Sequence, residues 1–216
     1  MKTDPQSFIR ANTSILVPPH VPEIRLHLAD GAHDLWLKTE DELEEIGLPP
    51  PFWAFAWAGG QGLSRYILDH PGEVAGKTVL DFASGSGLVA IAARLAGASH
   101  VLAADIDPWA GTAVRLNAAE NATALDFIGE DLIGRMIDAE VVLAGDVFYD
   151  RDFADRLVPW FRMLAEAGRV VLVGDPGRAY LPKDRLEQCA TYQVPVTRAL
   201  EDSEVKKTTV WRFSAK

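Results

Sequence analysis

A glycine-rich turn and a spaced set of carboxylates carry the first chemistry legible in this sequence. Val79-Leu80-Asp81-Phe82 runs directly into Ala83-Ser84-Gly85-Ser86-Gly87. Small residues there let the backbone approach a ligand, and a helix opening after the turn aims its positive end at it. A dinucleotide site would show G-x-G-x-x-G with a diphosphate on the helix N-terminus. Here the positions from Ala83 read Ala-x-Gly-x-Gly, and Asp81 precedes them. An acid at that place repels a diphosphate and suits an ammonium group, such as that of a methionine moiety. Asp105 closes the next apolar segment, where a carboxylate can accept both hydroxyls of a ribose. Asp107, just before Pro108, reads instead as a helix cap. In Gly129-Glu130-Asp131-Leu132, Asp131 is placed to bond an adenine amino group and Leu132 to pack on its ring.

The sharpest local pattern is Gly145-Asp146-Val147-Phe148-Tyr149-Asp150. Asp146 and Tyr149, three apart on an opening turn, can face one pocket. A carboxylate beside an aromatic ring suits an amine, because both attract a cation. The plainer alternative makes Asp146 a helix cap, with Phe148 and Tyr149 in the core. Trp57, just before Gly59-Gly60, can lie against a bound cofactor.

These residues need a scaffold that brings them to one edge. Short apolar segments at 77–82, 100–106, 125–128, 140–144 and 169–173 alternate with helical stretches at 88–97, 108–121 and 151–165. Such alternation indicates right-handed βαβ units and a parallel sheet, whose ligands gather at the carboxyl ends of the strands. Upstream, residues 4–12 read as a helix ending in a proline-rich turn. Residues 24–28 and 35–37 read as a hairpin around Asp30-Gly31, and a further helix begins near Gln61. Pro49-Pro50-Pro51 is a rigid connector that delivers Phe52, Trp53, Phe55 and Trp57. Downstream, 183–187 reads as a helix, and 191–196 with 208–213 as a terminal antiparallel pair. The expected fold is α/β, a Rossmann-like seven-stranded, mostly parallel sheet with an antiparallel C-terminal hairpin edge. Residues 1–50 form an N-terminal helix and small β extension, and 51–216 the main domain.

Composition narrows the partners. The chain of 216 residues carries 21 basic and 31 acidic side chains, a net charge of −10. That field repels a polyphosphate backbone, which argues against nucleic acid and favours a cationic substrate. Asp4, Pro5, Arg10 and Pro18-Pro19 interrupt any secretory signal, and no apolar run reaches the roughly 18 residues of a membrane span. The single cysteine, Cys189, fits a reducing compartment, and the expected location is cytoplasmic, as a monomer. Histidines at 20, 27, 33, 70 and 100 lack metal-ligand spacing, so no metal is expected.

At these residues the sequence resembles the seven-strand protein lysine methyltransferases with a D-x-x-Y motif, and most of all those that act on the electron transfer flavoprotein β subunit. The carriers are Trp57 with Gly59-Gly60 and Leu63-Ser64-Arg65-Tyr66, the stretch 80–87, Ala104 to Pro108, Gly145 to Tyr149, and Gly174-Asp175-Pro176-Gly177-Arg178. The resemblance implies S-adenosyl-L-methionine as cofactor, held at Trp57, Ala83, Ser84, Gly85, Asp105, Leu132 and Gly145, to which the residues read above add Asp81, Gly87 and Asp131. It implies a substrate-lysine role for Asp146 and Tyr149, with a target lysine on a protein substrate. Three other readings of the residues stay open: a small-amine N-methyltransferase, a nicotinamide-dependent oxidoreductase, and a non-catalytic cofactor-binding module.

Overall fold

The computed structural model describes residues 4–29, 50–196 and 203–214. Its centre is a seven-stranded sheet of β3 (Thr78–Phe82), β4 (His100–Ala104), β5 (Asp126–Ile128), β6 (Val141–Gly145), β7 (Val170–Asp175), β8 (Leu186–Pro195) and β9 (Val205–Phe213). The spatial order is β5-β4-β3-β6-β7-β9-β8. Strands β3 to β7 pair in parallel, while β9 runs antiparallel between β7 and β8. This is the expected α/β sheet with its antiparallel C-terminal edge. After β3 the chain builds outward through β4 and β5, then returns to β6 on the other side. That reversal makes a crevice beside the end of β3.

Both sheet faces are covered, which is why the parallel strands read as nearly continuous apolar runs. Successive strand residues point to opposite faces. Leu80, Phe82, Val142, Ala144, Val171 and Val173 meet Leu157, Trp160, Phe161 and Leu164 of one helix, Arg151–Glu166. Val79, Val101, Ala103, Val141, Leu143 and Leu172 meet Leu63 and Ile67 of the helix Ala58–Asp69, and Ala90 and Ala93 of the helix Leu88–Leu95. In chain order the helices are α1 (Pro5–Asn12), α2 (Ala58–Asp69), α3 (Leu88–Leu95), α4 (Pro108–Glu120) and α5 (Arg151–Glu166).

Helix caps explain several boundaries. Asp4 accepts from the Ser7 amide at the start of α1, Asp107 from Trp109 at the start of α4, and Asp150 from Phe153 at the start of α5. Asp107 with Pro108 at the first helical position is the arrangement expected from the sequence.

Two expectations need correction. The segment 183–187 is not a helix: one 3-10 turn at Lys183–Arg185 passes straight into β8, because pairing with β9 outweighs a weak helical preference. Residues 26–28 form a strand as expected, β2 (Leu26–Leu28), and among the described residues it pairs with an unforeseen strand, β1 (Ser14–Leu16), within the stretch read as a proline-rich turn. The hairpin around Asp30-Gly31 and the strand at 35–37 lie outside the described residues. Ile9 of α1 and Ala29 pack with Trp53, Phe55, Ala110 and Ala113, so the N-terminal segment lies on α4 and on the aromatic stretch before α2.

Candidate functional site

The carboxyl ends of β3, β4, β6 and β7 converge on one edge, and nearly every residue singled out above stands there. The turn after β3 is held in left-handed backbone: Ala83 at φ 55°, Gly85 at 49° and Gly87 at 78°. Glycine adopts such backbone at little cost, whereas Ala83 pays about 1–2 kcal/mol to hold it. A Cβ on Gly85 would stand 3.7 Å from the Phe52 carbonyl oxygen, so the stretch before α2 lies over the turn. The Ser84 hydroxyl is buried and makes no hydrogen bond among the described residues. An orphaned hydroxyl in such a cradle fits a polar ligand.

Asp105 reaches this turn directly. One oxygen accepts from the Gly85 amide at 2.9 Å and the other from the Asp107 amide at 2.9 Å. Burial pushes its carboxyl upward, against the pull of those amides. Asp81 is arranged differently. Alternation along β3 turns it inward, 1% exposed, and its carboxylate accepts from the Ala90 amide in the first turn of α3 at 2.9 Å. Burial pushes its carboxyl up to about 8. Asp81 therefore holds the first turn of α3 from the neighbouring strand and braces the turn between them.

Asp131 is exposed, paired with Arg156, and accepts from the Ile133 amide. That amide and the Arg156 contact hold its carboxyl below the usual range. Leu132 is buried in the cluster that holds Phe82 and Ala104, which sets an apolar wall beside the ends of β3 and β4.

The end of β6 is the most constrained part of the edge. Asp146 has φ 57°, rare for a residue with a side chain, and is only 8% exposed. Its backbone amide donates to the Gly174 carbonyl. One carboxylate oxygen, Oδ2, accepts from the Gly59 amide at the start of α2. The other, Oδ1, accepts from Arg178 Nε at 2.8 Å, with the Arg178 terminal nitrogen 2.6 Å away. Burial raises the Asp146 carboxyl to about 6, and Arg178 opposes that rise. Asp146 is no cap of the following helix, since Asp150 performs that task. Gly145 is needed for a reason the sequence did not reveal: a Cβ there would stand 2.8 Å from the Gly60 Cα. Its bareness lets α2 sit on the strand end.

Phe148 is fully buried, whereas Tyr149 is 51% exposed and packs its ring against Phe52 and Phe153 at 5.8 and 6.0 Å. Burial and then the nearby Asp105 push its phenol upward. Trp57 donates its indole N–H to the Phe52 carbonyl and meets Phe52 and Phe55 edge-on. Phe52, Trp57 and Tyr149 thus form an aromatic rim beside Asp146. Phe52 and Arg178 received no role from the sequence. The acid, glycine and arginine of Asp175-Pro176-Gly177-Arg178 were the available sign for the second, and nothing local marked the first.

The whole chain has relatives of recorded activity. It is 43% identical to the electron transfer flavoprotein beta subunit lysine methyltransferase of Xenopus laevis over 98% of this chain and 87% of that one. The protein of that name from Homo sapiens is 37% identical over 97% of this chain and 83% of its own. The chain belongs to the electron transfer flavoprotein β-subunit lysine methyltransferase family. It is accordingly a methyltransferase. Residues 63–146 of this family member also match the ribosomal protein L11 methyltransferase (PrmA) family. The sheet resembles that of magnesium protoporphyrin IX methyltransferase (ChlM) from Synechocystis PCC 6803, solved with bound SAM. The TM-score is 0.53 at 15% identity, over 73% of this chain and 80% of that one, a likeness of fold. Among the described residues no helix is long and apolar enough to cross a membrane.

Proposed function

We propose that this chain transfers a methyl group from S-adenosylmethionine to a lysine side chain of the electron transfer flavoprotein β subunit. The relatives named for that activity, aligned over nearly their whole length, support the reading. The observation that carries it is the pairing at the end of β6: a buried carboxylate, Asp146, beside a half-exposed ring, Tyr149. A lysine on a protein surface can reach in past such a ring, whereas a free small amine would call for an enclosed pocket.

The left-handed turn, the orphaned Ser84 hydroxyl and the carboxylate of Asp105 suit an adenosine bearing an amino-acid tail. Ala83, Ser84, Gly85 and Gly87 would line the tail, with Asp81 bracing the turn. Asp105 would take the ribose, and Leu132 the adenine. Asp131 would have to exchange its contact with Arg156 to reach that ring. Trp57 would cover the cofactor, and Gly145 would let α2 close over it. Bound there, S-adenosylmethionine supplies a methyl group on a positively charged sulfur.

The protein's own part is to seat and orient the amine. Free lysine has a pKa near ~10.4, so its proton must leave to water before transfer. Asp146 would hold the ammonium as it arrives and keep the neutral amine aligned after the proton has gone. Phe52, Trp57 and Tyr149 would line the path, attracting the cation through their ring faces. Alignment of this kind supplies most of the rate when the leaving group comes with the cofactor. The free thiol of Cys189 suits the reducing cytoplasm, and we take the active species to be a monomer. Purified flavoprotein β subunit, incubated with enzyme and cofactor, should acquire methyl groups on lysine in a tryptic map. An unmodified β subunit, alongside labelled proteins in a cell extract, would replace that substrate with another.

A further inference from the structure

We propose that Arg178 is a positioning residue for methyl transfer, fixing the Asp146 carboxylate as an oriented anion at the end of β6, and that Asp175 sets Arg178 in its turn. The inference rests on the substrate role given to Asp146 above. Asp175 ends β7 beside Asp146, since Gly174 and Gly145 are register partners on adjacent parallel strands. Its Oδ1 accepts from the backbone amides of Gly177 at 2.6 Å and Arg178 at 2.7 Å. The tight turn so formed, with Gly177 at φ 94°, swings the Arg178 side chain back over the end of β6. There Nε and a terminal nitrogen both meet Asp146 Oδ1.

A purely structural staple would be redundant here. The two strand ends are already joined by the Asp146 amide donating to the Gly174 carbonyl. What the guanidinium adds is control of a side chain. A carboxylate offers about four acceptor sites on its two oxygens. Arg178 takes two on Oδ1 and the Gly59 amide one on Oδ2, which leaves one on Oδ2. Two buried carboxylates, Asp146 and Asp175, share the Arg178 guanidinium, while the Lys183 ammonium also bears on Asp175. Asp175 Oδ2 is buried and makes no hydrogen bond among the described residues. The acceptor position left on Asp146 Oδ2 suits a cationic donor, and an incoming lysine ammonium is one.

The groups that face Asp146 are Arg178 and Asp175 from the turn after β7 and the Gly59 amide at the start of α2. Burial and Asp175 favour the protonated acid, while Arg178 and Gly59 favour the anion. Without Arg178 the balance tips toward the neutral form near neutral pH, and a neutral acid attracts an ammonium poorly.

The test compares Arg178→Met, Arg178→Lys and Asp146→Asn with the wild-type chain, using the flavoprotein β subunit and following kcat and KM from about pH 6 to about pH 9. Thermal unfolding of each variant normalises for folded protein. Arg178→Met should leave KM for the cofactor unchanged and lower kcat by about tenfold at neutral pH, one pH unit on an acid limb being tenfold. Its ratio to wild type should recover toward alkaline pH, as Asp146 ionises unaided, and Arg178→Lys should restore most of the loss. A ratio flat across the range, with Asp146→Asn inactive, overturns the role of Arg178 and leaves that of Asp146 standing. A lower KM for the protein substrate in Arg178→Met overturns it too, because Arg178 would then be a cation that competes with lysine. Transfer that persists in Asp146→Asn overturns both readings.

Discussion

Gly59→Ala is the smallest change that strikes the framework of the site. Gly59 lies in the first turn of α2, packed on the ends of β6 and β7. A Cβ there would stand 2.5 Å from Asp146 Oδ2 and 2.8 Å from the Asp146 amide nitrogen, and closer still to the Gly174 carbonyl oxygen. Two of these atoms are backbone and cannot turn aside, so the start of α2 has to retreat by about 1 Å in a closely packed interior. Overpacking of this kind costs about 1–3 kcal/mol. The retreat also pulls the Gly59 amide from the Asp146 carboxylate, and a hydrogen bond to a charged group contributes about 1.5–3 kcal/mol. Alanine returns about 1 kcal/mol through helix propensity. The net loss is about 1.5–5 kcal/mol, or about 3–20 °C in Tm at about 2–4 °C per kcal/mol for a chain of this size. Gly72→Ala is the matched control, since a Cβ there meets nothing within 4 Å. Calorimetric unfolding of both variants reads the difference. A Gly59→Ala protein melting within about 1 °C of wild type would refute the close approach on which the placement of Asp146 depends.

Three further outcomes follow from the same geometry. Asp105→Ala should weaken S-adenosylhomocysteine binding by about 1.5–3 kcal/mol, the scale of charge-assisted hydrogen bonds, as read by titration calorimetry; an unchanged Kd in a folded variant would remove Asp105 from the ribose site. Asp81 is pushed up to about 8 from an ordinary value of 3.8, so the ligand-free fold holds a proton that the unfolded chain releases. Stability should therefore fall as pH rises from about 4 to about 8, and Asp81→Asn should flatten that slope in urea titrations; an equal slope in the variant would deny the burial. Tyr149→Phe should reduce transfer less than Asp146→Asn does, because the ring remains for cation–π contact; equal losses by mass spectrometry would assign the work to the phenol.

The sheet was legible because β3, β4, β6 and β7 are apolar runs that end in small or acidic residues, a pattern that local chemistry writes directly. The cap at Asp107 with Pro108 was legible for the same reason. Asp81 reads as an acid suited to an ammonium, and its contact with the Ala90 amide depends on how α3 packs on the sheet, which spacing does not show. What escaped is what depends on contacts across the chain. β1 is three residues long and exists by pairing with β2. The charged stretch at 183–187 resembled a helix until β9 offered it a partner. The meeting of Gly59, Asp146 and Arg178 joins three segments that no spacing rule connects, and the place of Phe52 over the glycine turn likewise follows from the fold alone.

The central claim is that Asp146 directs the amine of a lysine while other residues hold the cofactor. Asp146→Asn separates the two in one preparation, because it keeps size and removes charge. With the flavoprotein β subunit as substrate, intact-mass spectrometry should show lysine methylation slowed by about 100-fold or more, the scale of a lost electrostatic contact at a reacting centre. Calorimetry on the same sample should show S-adenosylhomocysteine bound nearly as tightly as by wild type. Near-normal methylation by Asp146→Asn would contradict the account and leave Asp146 a brace between α2 and the strand ends.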